Sequence, residues 1–209
     1  MIAILDYGMG NLGSVHKALA FLGARAVVTE DPNVAGAARA LVLPGVGAMR
    51  PAMANMRARG LDRAVRDGIG AGKPFLGFCL GMQMLFETSE EDDADGLGIF
   101  PGCVRRIPAA AGIKIPHMGW NRITLRGTEA AGGPGTLLRE GESVYFVHSY
   151  HAVPDDPTIV TAMSDHGIPF TAAIRSGSVD AFQFHPEKSG DRGIEILRRW
   201  LTRMEGFTT

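Results

Sequence analysis

One cysteine of this chain stands in a setting suited to nucleophilic chemistry. Cys79 lies in Gly77-Phe78-Cys79-Leu80-Gly81, a G-x-C-x-G that is the thiol counterpart of the serine nucleophile elbow. In such an elbow the nucleophile occupies a sharp strand-to-helix turn, and the flanking glycines leave room where strand and helix close on each other. A helix starting at Leu80 would set partial positive charge beside the sulfur, favouring the thiolate, and would offer the Leu80 N–H to an oxyanion. Taken alone, a cysteine in an apolar run reads more readily as a small buried hydrophobe, so a catalytic role requires a base. His185-Pro186-Glu187 can supply one. Residues two apart in an extended chain point the same way, and Pro186 fixes its own φ while holding His185 extended, so Glu187 can reach the imidazole. The three side chains then make nucleophile, general base and orienter: His185 takes the thiol proton and returns it to the leaving group, and Glu187 sets the tautomer.

The remaining candidates are weaker. His148 and His151 flank Ser149-Tyr150 and read either as a binding edge or as strand residues, while His16 and His166 read as surface groups. No histidine or cysteine cluster has zinc-ligand spacing. Cys103 has neither an elbow nor a paired base and is expected to be inert.

The elements that must carry these groups are legible in outline. Apolar runs at Ile2–Leu5, Ala26–Thr29, residues 40–43 and residues 75–78 read as strands. Between them lie helical patterns: one with Val15, Leu19 and Leu22 on a face, then residues 51–59 and 61–70. This alternation predicts βαβ units and a mostly parallel sheet, whose ligands bind beyond the carboxyl ends of the strands. Residues 8–11, Pro44-Gly45-Val46-Gly47 and Cys79 all fall at that edge. Residues 8–13 also spell G-x-G-x-x-G between strand and helix, with Glu30 closing the next strand, which keeps a dinucleotide-binding oxidoreductase as a rival. Against it, Asp6 and Tyr7 intervene before Gly8 and put an acid where a pyrophosphate would approach. The second half has a different texture. Residues 90–95 read as an acidic solvated loop, 97–107 as strand pieces, 127–135 as a loop-like insertion and 143–152 as a strand run. Residues 169–175 and 178–184 read as paired antiparallel strands, and an amphipathic helix over 190–204, with Ile194, Leu197 and Leu201 inward, is expected to cover the sheet.

Composition sets the bounds. A length of 209 residues with 45% hydrophobic content suits one domain over 1–209 with an ample core. A formal net charge of −1 with interspersed signs leaves no footprint for nucleic acid or anionic lipid. Two cysteines make no disulfide framework, no basic leader precedes an apolar run, and no apolar stretch reaches membrane-span length. The expectation is a soluble, cytoplasmic protein without cofactor or metal.

At this point the chain resembles the class I (triad) glutamine amidotransferases, and within them the glutaminase subunits of imidazole glycerol phosphate synthase from histidine biosynthesis. The 77–83 and 182–187 segments look like the class motifs; residues 6–11, 44–47, 117–121 and 145–150 look like those of the subunit. The resemblance runs nearly end to end, with His151 standing where another tyrosine or an aliphatic residue is expected. It implies an α/β fold of flavodoxin-like type, with a mixed, mostly parallel central sheet flanked by helices. It implies hydrolysis of L-glutamine to glutamate and ammonia through a thioester on Cys79, with ammonia passing to a (β/α)8-barrel cyclase subunit. By the same resemblance, the N–H groups of Leu80 and Val46 form the oxyanion hole. Gly45, Gly47, Gln83, His148, Ser149 and Tyr150 line the glutamine pocket, and Asn11, Trp120, Tyr145 and Lys188 face the partner. Members of that family are nearly silent glutaminases until the partner and its ligand bind. The rival readings are a stand-alone γ-glutamyl hydrolase on the same triad, another biosynthetic amidotransferase, and a non-catalytic binding scaffold.

Overall fold

The short apolar runs of the first half become the centre of a sheet because helices cover them on both sides. The computed structural model describes residues 1–109, 113–132 and 135–205. In order, the first half gives β1 (Ile2–Leu5), α1 (Leu12–Phe21), β2 (Ala26–Thr29), α2 (Pro32–Ala37), β3 (Ala40–Gly45), α3 (Met49–Ala58), α4 (Leu61–Gly70), β4 (Phe75–Cys79) and α5 (Leu80–Gln83). There follow β5 (Phe86–Ser89), β6 (Ala94–Asp95), β7 (Phe100–Arg106), β8 (His117–Arg122), β9 (Thr124–Leu125), α6 (Gly127–Ala131), β10 (Ser143–His148), β11 (Tyr150–Pro154), β12 (Val160–Asp165), β13 (Pro169–Ser176), β14 (Val179–Phe182) and α7 (Gly190–Glu205).

Eight strands form the main sheet in the order β2-β1-β3-β4-β14-β13-β12-β9. Pairing is parallel from β2 through β14 and antiparallel beyond it. Every residue of β1, β3 and β4 is buried, as continuous apolar strands must be when both sheet faces are covered. On one face Leu41, Leu43 and Phe75 meet Met53 and Met56 of α3 and Leu61 and Val65 of α4. On the other, Ile4, Val42, Leu76 and Phe78 meet Val15 and Leu19 of α1 and Leu197 and Trp200 of α7. The expected mostly parallel α/β sheet flanked by helices is what forms. A four-stranded sheet, β11-β7-β5-β6, and the ribbon β10-β8 lie beside it.

Several elements depart from the sequence reading. β3 runs on through Pro44 and Gly45; its pairing to β1 stops at Val42, so the missing proline N–H costs no bond on that edge. The helix after Cys79 is a single turn, and the chain re-enters a strand at Phe86. Residues 90–95 end in β6 with Ala94 buried rather than in a solvated loop. The 143–152 run splits at Ser149 into β10 and β11, which pair with β8 and β7 respectively. The 127–135 stretch opens with the short helix α6, and its residues 133 and 134 lie outside the described residues. In α7 the buried side chains are Ile196, Leu197, Trp200 and Met204, with Ile194 and Leu201 only half-buried, so the inward face is turned from the one expected.

A buried ion network fastens α7 to the sheet. Asp180 on β14 accepts from Arg175 Nε at 2.8 Å and Arg203 Nη1 at 2.6 Å, while Arg175 also pairs with the buried Glu129. Glu129 in turn accepts the backbone N–H groups of Leu137 and Leu138 at 2.8 and 2.7 Å. Removing one member of such a buried set leaves charge uncompensated. Asp180→Ala is expected to lower the unfolding free energy by about 3 kcal/mol in urea titration; a loss below about 1 kcal/mol would show that water already supports the arginines.

Candidate active site

Cys79 ends β4 at the carboxyl edge of the sheet with φ 51° and ψ −108°, a conformation costly for any residue with a side chain. Close backbone packing holds it there. A Cβ on Gly81 would lie 1.8 Å from the Leu43 carbonyl oxygen, and one on Gly77 would lie 2.9 Å from the Gly81 oxygen. A Cβ on Gly45, which pairs with Cys79 across the sheet, would meet Leu80 Cβ at 2.7 Å and the Gly81 nitrogen at 2.8 Å. Glycine is therefore required at all three positions for β3, β4 and α5 to converge on the sulfur. Tyr7 secures the same place by donating its hydroxyl to the Pro44 carbonyl at 3.1 Å.

The candidate base follows the neighbouring strand. β14 runs parallel to β4 with Phe182 opposite Phe78, and the chain continues through Gln183 and Phe184 to His185. His185 is extended, at φ −106° and ψ 98°, ahead of the 3-10 turn Pro186–Lys188. Its N–H donates to the Tyr145 carbonyl at 3.0 Å, and its carbonyl accepts from Ser189 Oγ at 2.7 Å. His185 Nδ1 meets Glu187 Oε1 at 2.7 Å, with both side chains only 2% exposed. Glu187 thus fixes the ring with Nε2 turned toward Cys79. Nε2 itself is buried on the Cys79 side, and the sulfur also lies 3.7 Å from the Val147 carbonyl. Burial disfavours the imidazolium, but Cys79 and Glu187 outweigh it and the His185 pKa is raised to about 9.

The sulfur opens into a cavity of about 340 Å³. Of the residues singled out from sequence, Val46, Gly47, Leu80, Gln83, His148, Ser149 and Tyr150 line it, and Lys188 does so as well. Gly45 does not; it lies beneath the elbow. Trp120 and Tyr145 sit opposite each other on β8 and β10, ring centroids 6.1 Å apart, with Trp120 57% and neighbouring Met118 63% exposed. Asn11 stands half-buried at the start of α1.

Three lining residues were missed by sequence reasoning: Glu91, Pro116 and Val147. Glu91 belongs to the stretch read as a solvated loop, yet it folds back and accepts the Met49 N–H at 2.9 Å. α3 has no side-chain cap of its own, so an acid 42 positions on serves its positive end. Burial raises the Glu91 pKa in spite of that bond. A helix start with alanine at its cap position was the one available signal.

His148 is buried within a chain of hydrogen bonds. Its Nδ1 meets the Tyr150 carbonyl at 2.8 Å and its Nε2 meets His117 Nδ1 at 3.0 Å; His117 Nε2 faces Asn121 Nδ2 at 3.5 Å. A carbonyl only accepts, so His148 carries its proton on Nδ1 and takes the His117 proton at Nε2. Burial, then the neighbouring His166, lower the His117 pKa to about 4. Burial likewise dominates at His148 and takes it to about 3. His166, expected at the surface, stacks on His117 with centroids 4.1 Å apart and is half-buried. His151 is buried near Phe170, outside the cavity.

The glycine-rich turn after β1 is built differently from a dinucleotide site. Asp6 accepts the Gly8 N–H at 2.8 Å, occupying a donor that a pyrophosphate would need, and Arg59 packs against Gly8. Among the described residues no group of three or more His, Cys, Asp or Glu could hold a metal ion.

An elbow cysteine beside a buried His–Glu pair, at the ends of adjacent parallel strands, is the arrangement that thiol-dependent acyl transfer requires. The chain belongs to the class-I glutamine amidotransferases, whose family pattern it matches over residues 3–204. It is 48% identical over 203 residues to the imidazole glycerol phosphate synthase subunit HisH of Moorella thermoacetica, covering 95% of this chain and 93% of that one. With the subunit of the same name from Thermosynechococcus vestitus it shares 50% identity over 201 residues, covering 96% and 95%. Among solved structures, one described as a glutamine amidotransferase superposes with a TM-score of 0.75 at 19% identity over 98% of both chains. The glutaminase domain of Trypanosoma brucei CTPS with bound acivicin gives 0.62 at 15%, covering 99% and 93%.

The site's histidines make opposite demands on pH. His117 and His148 have folded pKa values below the usual 6.5, so the unfolded chain binds more protons and stability falls as pH drops below 6.5 toward 4 and 3. His185 has its pKa raised, so its contribution is complete below pH 6.5 and is lost as pH rises through about 9. In NMR titration the His185 ring is expected to change charge near pH 9, and in Glu187→Gln at a lower pH. An unchanged titration in that variant would show that Glu187 does not hold the imidazolium.

Proposed function

We infer that this chain is the glutaminase subunit of an imidazole glycerol phosphate synthase, acting as one domain over residues 1–209. It hydrolyses L-glutamine through a thioester on Cys79 and passes ammonia to a (β/α)8-barrel cyclase partner. Near-complete alignment with HisH subunits at close to half identity is the observation that carries this reading, and the Cys79–His185–Glu187 arrangement supports it.

The chemistry follows from the positions of the groups. The Cys79 proton turns from the Val147 carbonyl to His185 Nε2, and the sulfur attacks the γ-carboxamide carbon. The resulting oxyanion faces the Leu80 N–H, one of the free donors of the first turn of α5, and the Val46 N–H. The imidazolium then gives its proton to the departing amine, releasing ammonia and leaving the γ-glutamyl thioester. Water, deprotonated by His185, attacks that carbonyl; glutamate leaves and the thiol recovers its proton. Gln83, His148, Ser149 and Tyr150 surround the substrate, and Glu91 suits its α-ammonium group as a carboxylate facing the cavity.

The partner meets the edge where Met118 and Trp120 expose their apolar side chains beside Tyr145, Asn11 and Lys188. Exposed aromatic and methionine side chains at the rim of a working site are the usual composition of an interface core. Among the described residues no helix is long and apolar enough to cross a membrane, and the subunit works in the cytoplasm with its partner.

The 44–47 loop provides the control point. Gly45 and Gly47 flank Val46, Gly47 at φ +102°, and a flip of the Gly45–Val46 peptide would bring the Val46 N–H into or out of the oxyanion position. Glutamate release should be low for the chain alone, rise steeply with a cyclase partner and its ribonucleotide ligand, and fall by about three orders of magnitude or more in Cys79→Ala. Equal rates with and without partner would instead favour a stand-alone γ-glutamyl hydrolase. Gly47→Val should fix the loop in one state and abolish the rise; activation equal to that of the parent would refute the flip.

A further inference from the structure

We propose that Gln183 is a positioning residue for the nucleophile: its side-chain amide donates an N–H to the Cys79 sulfur, in a direction imposed by the Tyr150 carbonyl through Gln83. This rests on Cys79 being the nucleophile.

Gln183 is fully buried and Gln83 is 4% exposed, so water cannot substitute for the partners of either amide. Gln183 Nε2 lies 3.6 Å from Cys79 Sγ, a contact that would be repulsive toward the thiolate if the amide were turned to present its oxygen. The order of oxygen and nitrogen in a glutamine is decided by its neighbours, and here the neighbours decide it fully. The Tyr150 carbonyl can only accept, so the Gln83 atom 2.8 Å from it is the nitrogen. The same nitrogen lies 3.0 Å from the Gln183 side chain, which must answer with its oxygen. The Gln183 nitrogen is then left facing sulfur. Turning either amide over would set two donors or two acceptors against each other in a buried site, where each unsatisfied group is costly.

His148 Nδ1 donates to the same Tyr150 carbonyl at 2.8 Å. Both lone pairs of that oxygen are therefore engaged, and the Gln83 contact is held from the far side. The Gln183 backbone is fixed as well, its N–H donating to the Ala172 carbonyl at 2.9 Å.

The consequence bears on the sulfur rather than on the substrate oxygen. When the thiol proton goes to His185 Nε2, the Val147 carbonyl loses its donor and faces negative charge. The Gln183 N–H stays where it is, and a hydrogen bond to an ionised acceptor is roughly twice as strong as one to a neutral acceptor. Gln183 thus supplies a donor that strengthens as the thiolate forms.

The test is alkylation of Cys79 by iodoacetamide across pH, on the full chain in a Cys103→Ser background, alongside glutamate release. In Gln183→Met the pH of half-maximal alkylation should rise by about one unit, with a roughly tenfold slower reaction at pH 7, the size expected for one hydrogen bond to a charged group. Gln83→Met, which frees the Gln183 amide to turn, should move the profile the same way by less. This second variant decides the matter if circular dichroism shows Gln183→Met to be unfolded. Unchanged profiles in the folded variants, with turnover reduced, would overturn the proposal and leave Gln183 a packing residue. Glutamate release persisting in Cys79→Ala would instead remove the nucleophile assignment on which the proposal rests.

Discussion

The close approach of the α5 backbone to the end of β3 is the constraint on which the site depends. The Leu43 carbonyl sits where a Gly81 side chain would be, so the first turn after Cys79 can settle only with glycine there. That contact holds the Cys79 backbone at positive φ, against a cost of roughly 1–3 kcal/mol for such strain. The cost is met by the buried apolar strands on either side, β3 and β14, which clamp β4 in register from Phe75 to Cys79. Stability in the middle of the sheet and strain at its edge are two ends of one element.

Electrostatics around the cavity follow from which partners reach each ring. Four buried histidines lie in or near the cavity wall, and only His185, with Cys79 and Glu187 against it, favours the charged form. His117 and His148 have carbonyl, amide and imidazole neighbours, so burial decides for the neutral ring. A neutral His148 keeps a positive charge away from the surroundings of Cys79, and its Nδ1–H holds the Tyr150 carbonyl at 2.8 Å.

The sequence made local chemistry readable and hid chemistry that depends on long closures. The glycines around Cys79 and the proline between His185 and Glu187 impose geometry over two or three residues, and the structure has that geometry at both places. The continuous apolar runs of β1, β3 and β4 were equally plain. Glu91 was not, because an acidic tract reads as solvated unless one knows which helix start it reaches 42 residues back. The segment after Cys79 was read as a helix, and it makes a single turn before Met84 and Leu85 are drawn into the core and Phe86 into a strand beside β7. The face of α7 was misjudged for a similar reason. Its inward direction is set by Trp200 fitting against the sheet and Arg203 reaching Asp180, neither of which an apolar count can weigh.

The placement of β14 beside β4 has a consequence for how the molecule comes into being. The strand that ends in Cys79 and the one that leads to His185 are neighbours in space, yet roughly a hundred residues of chain separate the two side chains. At a synthesis rate of about 5–20 residues per second, the thiol leaves the ribosome on the order of 5–20 s before the histidine is made. During that interval β4 lacks its parallel neighbour and Cys79 has no partner to take its proton. The pairing of Cys79 with His185 is therefore closed to the nascent polypeptide until the last strand slots into the sheet beside β4.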